Sequence, residues 1–155
     1  MNLLQVARLM AGFAAIFTLA QVPALLASLT EVHGTALVPI TGFGVSIAVG
    51  AATAAALWAV GRRSRDQAYR KETIAVAGLA WLLAGLLGAI PFWVSGLLPA
   101  ASDAWFEAVS GLTTCGATVL GSGGQPAIED VPASLLLWRA LLQWIGGIGI
   151  VLLFV

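Results

Sequence analysis

Phe106-Glu-Ala-Val-Ser-Gly-Leu-Thr-Thr-Cys-Gly-Ala-Thr118 is the stretch on which the fold turns. Its first half has the pattern of a short amphipathic helix. Its second half, Thr113-Thr-Cys-Gly-Ala-Thr118, suits neither a helix nor a lipid-facing strand. Long apolar segments flank it, residues 73–98 before and 131–155 after. At membrane depth, a half-length helix followed by irregular, Gly-containing backbone is tolerated only inside protein or beside a water-filled cavity. Rings of backbone carbonyls in such a place form ion filters. The stretch therefore reads as a pore loop that passes a dehydrated monovalent cation.

The rest of the chain agrees with a membrane setting. Hydrophobic residues make up 60% of the sequence and charged residues 9%, with a mean hydropathy of +0.99. That is too apolar for a soluble domain of 155 residues. The net charge of zero gives no basis for nucleic-acid binding. One cysteine excludes an internal disulfide, and His33 has no companion ligands near it in sequence for a metal site.

A helix needs about 20 apolar residues to cross about 30 Å of hydrocarbon. Residues 3–29 qualify, interrupted by Arg8, Gln21 and Pro23, and so do residues 36–60 and 73–98. Residues 131–155 are long enough but stop on Leu-Leu-Phe-Val with no cap or basic anchor, so the reading frame is expected to continue past Val155. Ser102–Leu112 is too short to cross and must re-enter. The first segment is too long for the apolar core of a signal peptide and leads into no soluble domain.

Five of the seven basic residues, Arg62, Arg63, Arg65, Arg70 and Lys71, crowd one loop. The positive-inside rule makes that loop cytoplasmic. The N-terminus is then cytoplasmic too, and residues 102–125 open to the outside. Glu31, Asp103, Glu107, Glu129 and Asp130 fall on that external side, where carboxylates raise the local cation concentration. Gly121-Ser-Gly-Gly124 has no following Lys and no preceding strand, so it reads as an external loop and not a phosphate loop.

Small residues recur every four positions at Gly42, Ser46, Gly50 and Ala54, and again at Ala80, Ala84 and Gly88. Such faces let helices in a membrane approach closely. Gly146, Gly147 and Gly149 predict a close neighbour, with the re-entrant segment as the preferred one, or else a bend. Ser102 or Asp103 is the expected N-cap of the re-entrant helix, with Glu107 near its first turn. The partly negative C-terminal end of that helix then points to the membrane centre, which favours a cation there. Gly116 freely adopts positive φ, letting consecutive carbonyls point the same way. Arg139, about two turns into the last span, would cost about 2.5 kcal/mol or more unless paired or snorkelling. Glu107 is the expected partner, with Glu129 and Asp130 as alternatives.

Two motifs carry a family resemblance. Phe106 to Val119 resembles the first pore loop of TrkH-type potassium transporter subunits of the Trk/Ktr/HKT superfamily. Leu137-Trp-Arg-Ala-Leu-Leu-Gln-Trp-Ile-Gly-Gly-Ile-Gly-Ile150 resembles the helix that follows it. The resemblance covers the whole chain but only about the first third of a complete subunit, which has four such units around one pore. Cys115 stands where family loops commonly have Thr. The resemblance implies a selectivity filter of mainly backbone carbonyls at Thr114, Cys115, Gly116, Ala117 and Thr118, with potassium, or sodium, held at Thr114, Cys115 and Gly116. It also implies a homodimer in the complete protein and a cytosolic nucleotide-binding regulatory subunit, in an inner or plasma membrane.

The expected fold is an all-α membrane protein. Two leading transmembrane helices occupy residues 1–65, and one helix–pore loop–helix unit occupies residues 66–155. No resident cofactor and no covalent chemistry are expected. Beside the transport reading stand a non-conducting membrane fragment or interaction protein lacking the other three pore units, and a short homotetrameric channel, which would need no two-helix leader.

Overall fold

The structure is a computed structural model that describes residues 2–31, 37–63, 70–123 and 126–154. Among these residues it is built from helices alone: α1 (Leu3–Leu19), α2 (Val22–Thr30), α3 (Leu37–Gly61), α4 (Arg70–Val94), α5 (Ala101–Leu112) and α6 (Ala133–Phe154), with a 3-10 turn at Ile128–Asp130. Three stretches are long and apolar enough to cross a membrane: Leu3–Thr30, Pro39–Gly61 and Lys71–Val94. α6, at 22 residues, is about 33 Å long at 1.5 Å per residue. α5 has 12 residues and reaches only about 18 Å.

The first crossing is broken, where the sequence suggested one helix. Pro23 has no N–H to donate to the Leu19 carbonyl, so the hydrogen-bond ladder stops. The Gln21 N–H turns instead to the Thr18 carbonyl, and a second helix starts with Pro23 in its first turn. α4 ends near Val94, earlier than the apolar run, with Gly96 at φ +77° and the Leu98 N–H closing on the Phe92 carbonyl.

Pro91 lies inside α4 and leaves the Leu87 carbonyl without its usual helical donor. The buried Ser46 hydroxyl, from α3, donates to that carbonyl at 3.1 Å. Gly42 lies one turn away on α3, where a Cβ would stand 2.8 Å from the Pro91 carbonyl oxygen. Gly50, next along the stripe, faces Thr18 of α1 instead. The small-residue face thus serves two neighbours, and at Pro91 it also supplies a hydrogen bond.

Trp138 of α6 is the centre of the core. It is fully buried, meets Phe17 and Phe43 edge-on at ring distances of 5.7 and 6.4 Å, and donates its indole N–H to the Gly88 carbonyl at 3.0 Å. Two polar ties fix the ends of the bundle. At one end the Asn2 N–H donates to the buried Glu72 carboxylate at 3.0 Å, joining the start of α1 to the start of α4. At the other end the Glu31 carboxylate accepts the backbone N–H of Ser134 at 2.6 Å and its hydroxyl at 2.8 Å. Glu31 follows α2, so it caps α6 from another helix. The calls on His33, Arg65, Gly124 and Gln125 lie outside the described residues.

Candidate functional site

α5 starts at the end of the bundle where α4 finishes and α6 begins. Its N-cap is Ala100, with no side-chain cap, so Ser102 and Asp103 lie inside the first turn and not at the cap as the sequence suggested. Asp103 supplies the first-turn negative charge there. Glu107 is therefore not a dipole partner; it sits in mid-helix and is fully buried.

α5 ends against α6. A Cβ on Gly146 would collide with the Leu112 carbonyl, so only glycine admits this crossing. The expected close neighbour is thus the re-entrant segment, at Gly146 above all. Gly147 and Gly149 leave ordinary spacing, 3.8 Å, to Thr114 and Trp81 side-chain carbons. Gly146 stands 13 residues (146 minus 133) into α6, about 20 Å from its start. The tip of α5 therefore meets α6 past its midpoint.

From there the chain turns back without regular structure over residues 115–119. Ser110 organises the turn. Its carbonyl accepts the N–H groups of Cys115 at 3.1 Å and Gly116 at 3.4 Å, and its hydroxyl donates to the Ala117 carbonyl at 2.5 Å. The Thr114 N–H donates to the Gly111 carbonyl at 2.9 Å. Thr114 has φ +58° and Gly116 has φ +75°. Positive φ was expected at Gly116 alone. At Thr114, a β-branched residue, it is strained, and strain of this kind gathers at functional sites.

Glu107 and Arg139 hold the returning segment. Arg139 Nε donates to Glu107 Oε1 at 2.5 Å. Glu107 Oε2 accepts the Thr118 hydroxyl at 3.0 Å and the Val119 N–H at 3.1 Å. Arg139 Nη2 reaches onward to the carbonyls of Gly116 at 3.0 Å and Ala117 at 3.4 Å. Glu129 and Asp130, the alternative partners, sit exposed in the 3-10 turn.

The loop thus divides in two. The oxygens of Gly116 and Ala117 are engaged by Arg139 and Ser110. Among the described residues no hydrogen bond reaches the carbonyls of Thr113, Thr114, Cys115 or Thr118. Thr113 to Ala117 are exposed on this chain, and Cys115 is a free thiol. The sequence reading did not single out Ser110, and it placed Thr113 in the return run without counting it in the filter. A polar residue in the last turn of a helix just before a Gly was the available signal for Ser110.

The model of a family described as TrkH, cation transport protein, matches residues 40–155. The Trk system potassium uptake protein TrkH of Halomonas elongata is 33% identical over all of this chain and 30% of its own length. The proteins of the same name from Salmonella typhimurium and Escherichia coli K12 are 37% and 36% identical over 73% of this chain. The chain spans 22% of each of those two.

Proposed function

The chain belongs to the TrkH family of cation transport proteins, and from that premise we propose that it contributes one pore-loop unit to a potassium uptake pathway. Potassium, or sodium in its place, is the cargo. One observation carries the proposal: at the exposed residues Thr114 and Cys115, just past the end of the half-length helix α5, the carbonyls meet no donor among the described residues. A cation that sheds its water needs oxygens free of other donors. We assign the ion-facing ligands to the carbonyls of Thr113, Thr114 and Cys115. Gly116, Ala117 and Thr118, first counted with the filter, belong in this reading to the frame that orients those ligands. Residues 1–65 form the leader and residues 66–155 the pore unit. A homodimer and a cytosolic nucleotide-binding subunit are part of the same proposal through the family resemblance.

The complete transporter carrying this segment should restore growth at low potassium, with rubidium influx, to cells lacking their own uptake systems. Residues 1–155 expressed alone at the same membrane abundance should not. Absence of influx from the complete protein would overturn the reading. Influx from the short chain alone would favour a self-assembling channel.

The exposed basic pair Arg62 and Arg63 at the end of α3 supports a cytoplasmic N-terminus in an inner or plasma membrane. The Asn2–Glu72 tie places the chain start at the same end as the start of α4. In intact cells an impermeant thiol reagent should label Cys at Ser122 and spare Cys at Arg63, both in a Cys115→Ser background. The opposite pattern would invert the orientation and with it the direction in which α5 re-enters.

A further inference from the structure

We infer that Ser110 is a positioning residue that determines which filter carbonyls face the ion, a reading that rests on the proposed function above. Ser110 is 5% exposed, lies in the last turn of α5, and bonds the returning segment through both its backbone oxygen and its hydroxyl. Its backbone oxygen gathers two successive N–H groups, those of Cys115 and Gly116. Its hydroxyl draws the Ala117 oxygen toward α5. One residue therefore fixes both ends of the three-residue segment Cys115-Gly-Ala117.

The backbone sets what that achieves. Successive peptide planes in an extended segment present their carbonyls to alternating sides, and a positive φ reverses that alternation. Thr114 and Gly116 both have positive φ. With the Ala117 oxygen held by Ser110 and Arg139, and the Gly116 oxygen held by Arg139, the oxygens of Thr114 and Cys115 meet no donor among the described residues. Arg139 alone does not impose this. Its bond to Ala117 is long, 3.4 Å, against 2.5 Å from Ser110. The hydroxyl is thus the stronger of the two restraints on the Ala117 peptide plane. Loss of it frees that plane to rotate and to add or remove an oxygen at the ion's path.

The test uses the complete transporter with Ser110→Ala, Ser110→Thr and, as a reference, Gly116→Ala, compared at equal membrane abundance. KM for rubidium influx and competition by sodium are measured. Ser110→Ala is expected to raise the KM about tenfold and to cut discrimination against sodium about tenfold, the scale of one lost buried hydrogen bond. Ser110→Thr retains the hydroxyl and should recover most of both. A fall in maximal rate or abundance with unchanged KM and sodium competition would overturn the inference, because packing alone would explain it. Equal damage from Ala and Thr would overturn it for the same reason. If Ser110→Ala is silent while Gly116→Ala impairs selectivity, the inference about Ser110 fails and the filter reading survives. If both are silent, the filter reading fails as well.

Discussion

Glu107→Gln and Arg139→Gln are each expected to destabilise the complete transporter by about 3–5 kcal/mol, the usual loss when one partner of a buried pair is removed. Glu107 is fully buried and acceptor-only, and it faces three donors: Arg139 Nε, the Thr118 hydroxyl and the Val119 N–H. A glutamine there replaces one acceptor oxygen by an NH2 group. Whichever way that amide turns, donor faces donor on one side. Arg139→Gln leaves the carboxylate charge uncompensated and also removes the Nη2 bond to the Gly116 carbonyl. Both losses should extend to transport, since the two side chains grip the returning segment and not merely each other. Thermal unfolding in detergent across a double-mutant cycle is the measurement. The double variant should recover about 1 kcal/mol or more relative to the sum of the single losses. Strictly additive losses would show that the two residues do not act as a unit.

Gly116→Ala should reduce selective rubidium influx more than any other single substitution in the loop, by about tenfold or more. The reason is conformational. A Cβ at Gly116 meets no atom of this chain within 4 Å, so a clash within the unit is not the cause. The residue sits at φ +75°, where an L side chain costs about 1–2 kcal/mol. Relief of that strain would rotate the peptide planes on either side, including the one that bears the Cys115 oxygen. Cys115→Thr, by contrast, changes only an exposed side chain and should leave influx near normal. The pair of variants separates a backbone filter from a side-chain one. Selective influx at the normal rate from Gly116→Ala would sink the assignment. A severe loss from Cys115→Thr would move the ion ligand from the carbonyl to the thiol.

The hydropathy of the spans and the brevity of the Ser102–Leu112 helix make the all-helical membrane architecture legible in the sequence. Each rests on a local property: a run long enough to cross, or one too short to do so. The approach of α6 to the re-entrant segment was legible at Gly146, because clustered glycines weaken a helix unless a neighbour needs the room. Pro23 was visible as an interruption, but a proline can kink a helix or end it, and the full break shows only in the turn bond from the Gln21 N–H to the Thr18 carbonyl. Ser46 read as a small packing residue, and its bond to the Leu87 carbonyl appears only when α3 and the Pro91 gap are brought together. The positive φ of Thr114 was hidden for a related reason. Nothing about a threonine asks for it, and the constraint comes from Gly111, Ser110 and the turn that joins them. Periodicity and run length thus disclosed the elements, while the hydrogen bonds that shape the loop depend on how the chain folds back on the end of α5 and against Arg139 of α6.

The cap that Glu31 places on α6 bears on the order in which the molecule is made. Ser134 lies 103 residues after Glu31. At about 5–20 residues per second, the carboxylate precedes the N–H it accepts by roughly 5–20 seconds. α6 thus enters a membrane where α2 and its terminal acid already wait. Its first turn can be satisfied as it is released, with no interval in which those donors wait for a partner. Circular permutation that moved residues 1–65 behind α6 would keep every contact and reverse that sequence of events. Such a protein should show a higher fraction of misinserted chains despite an unchanged final structure.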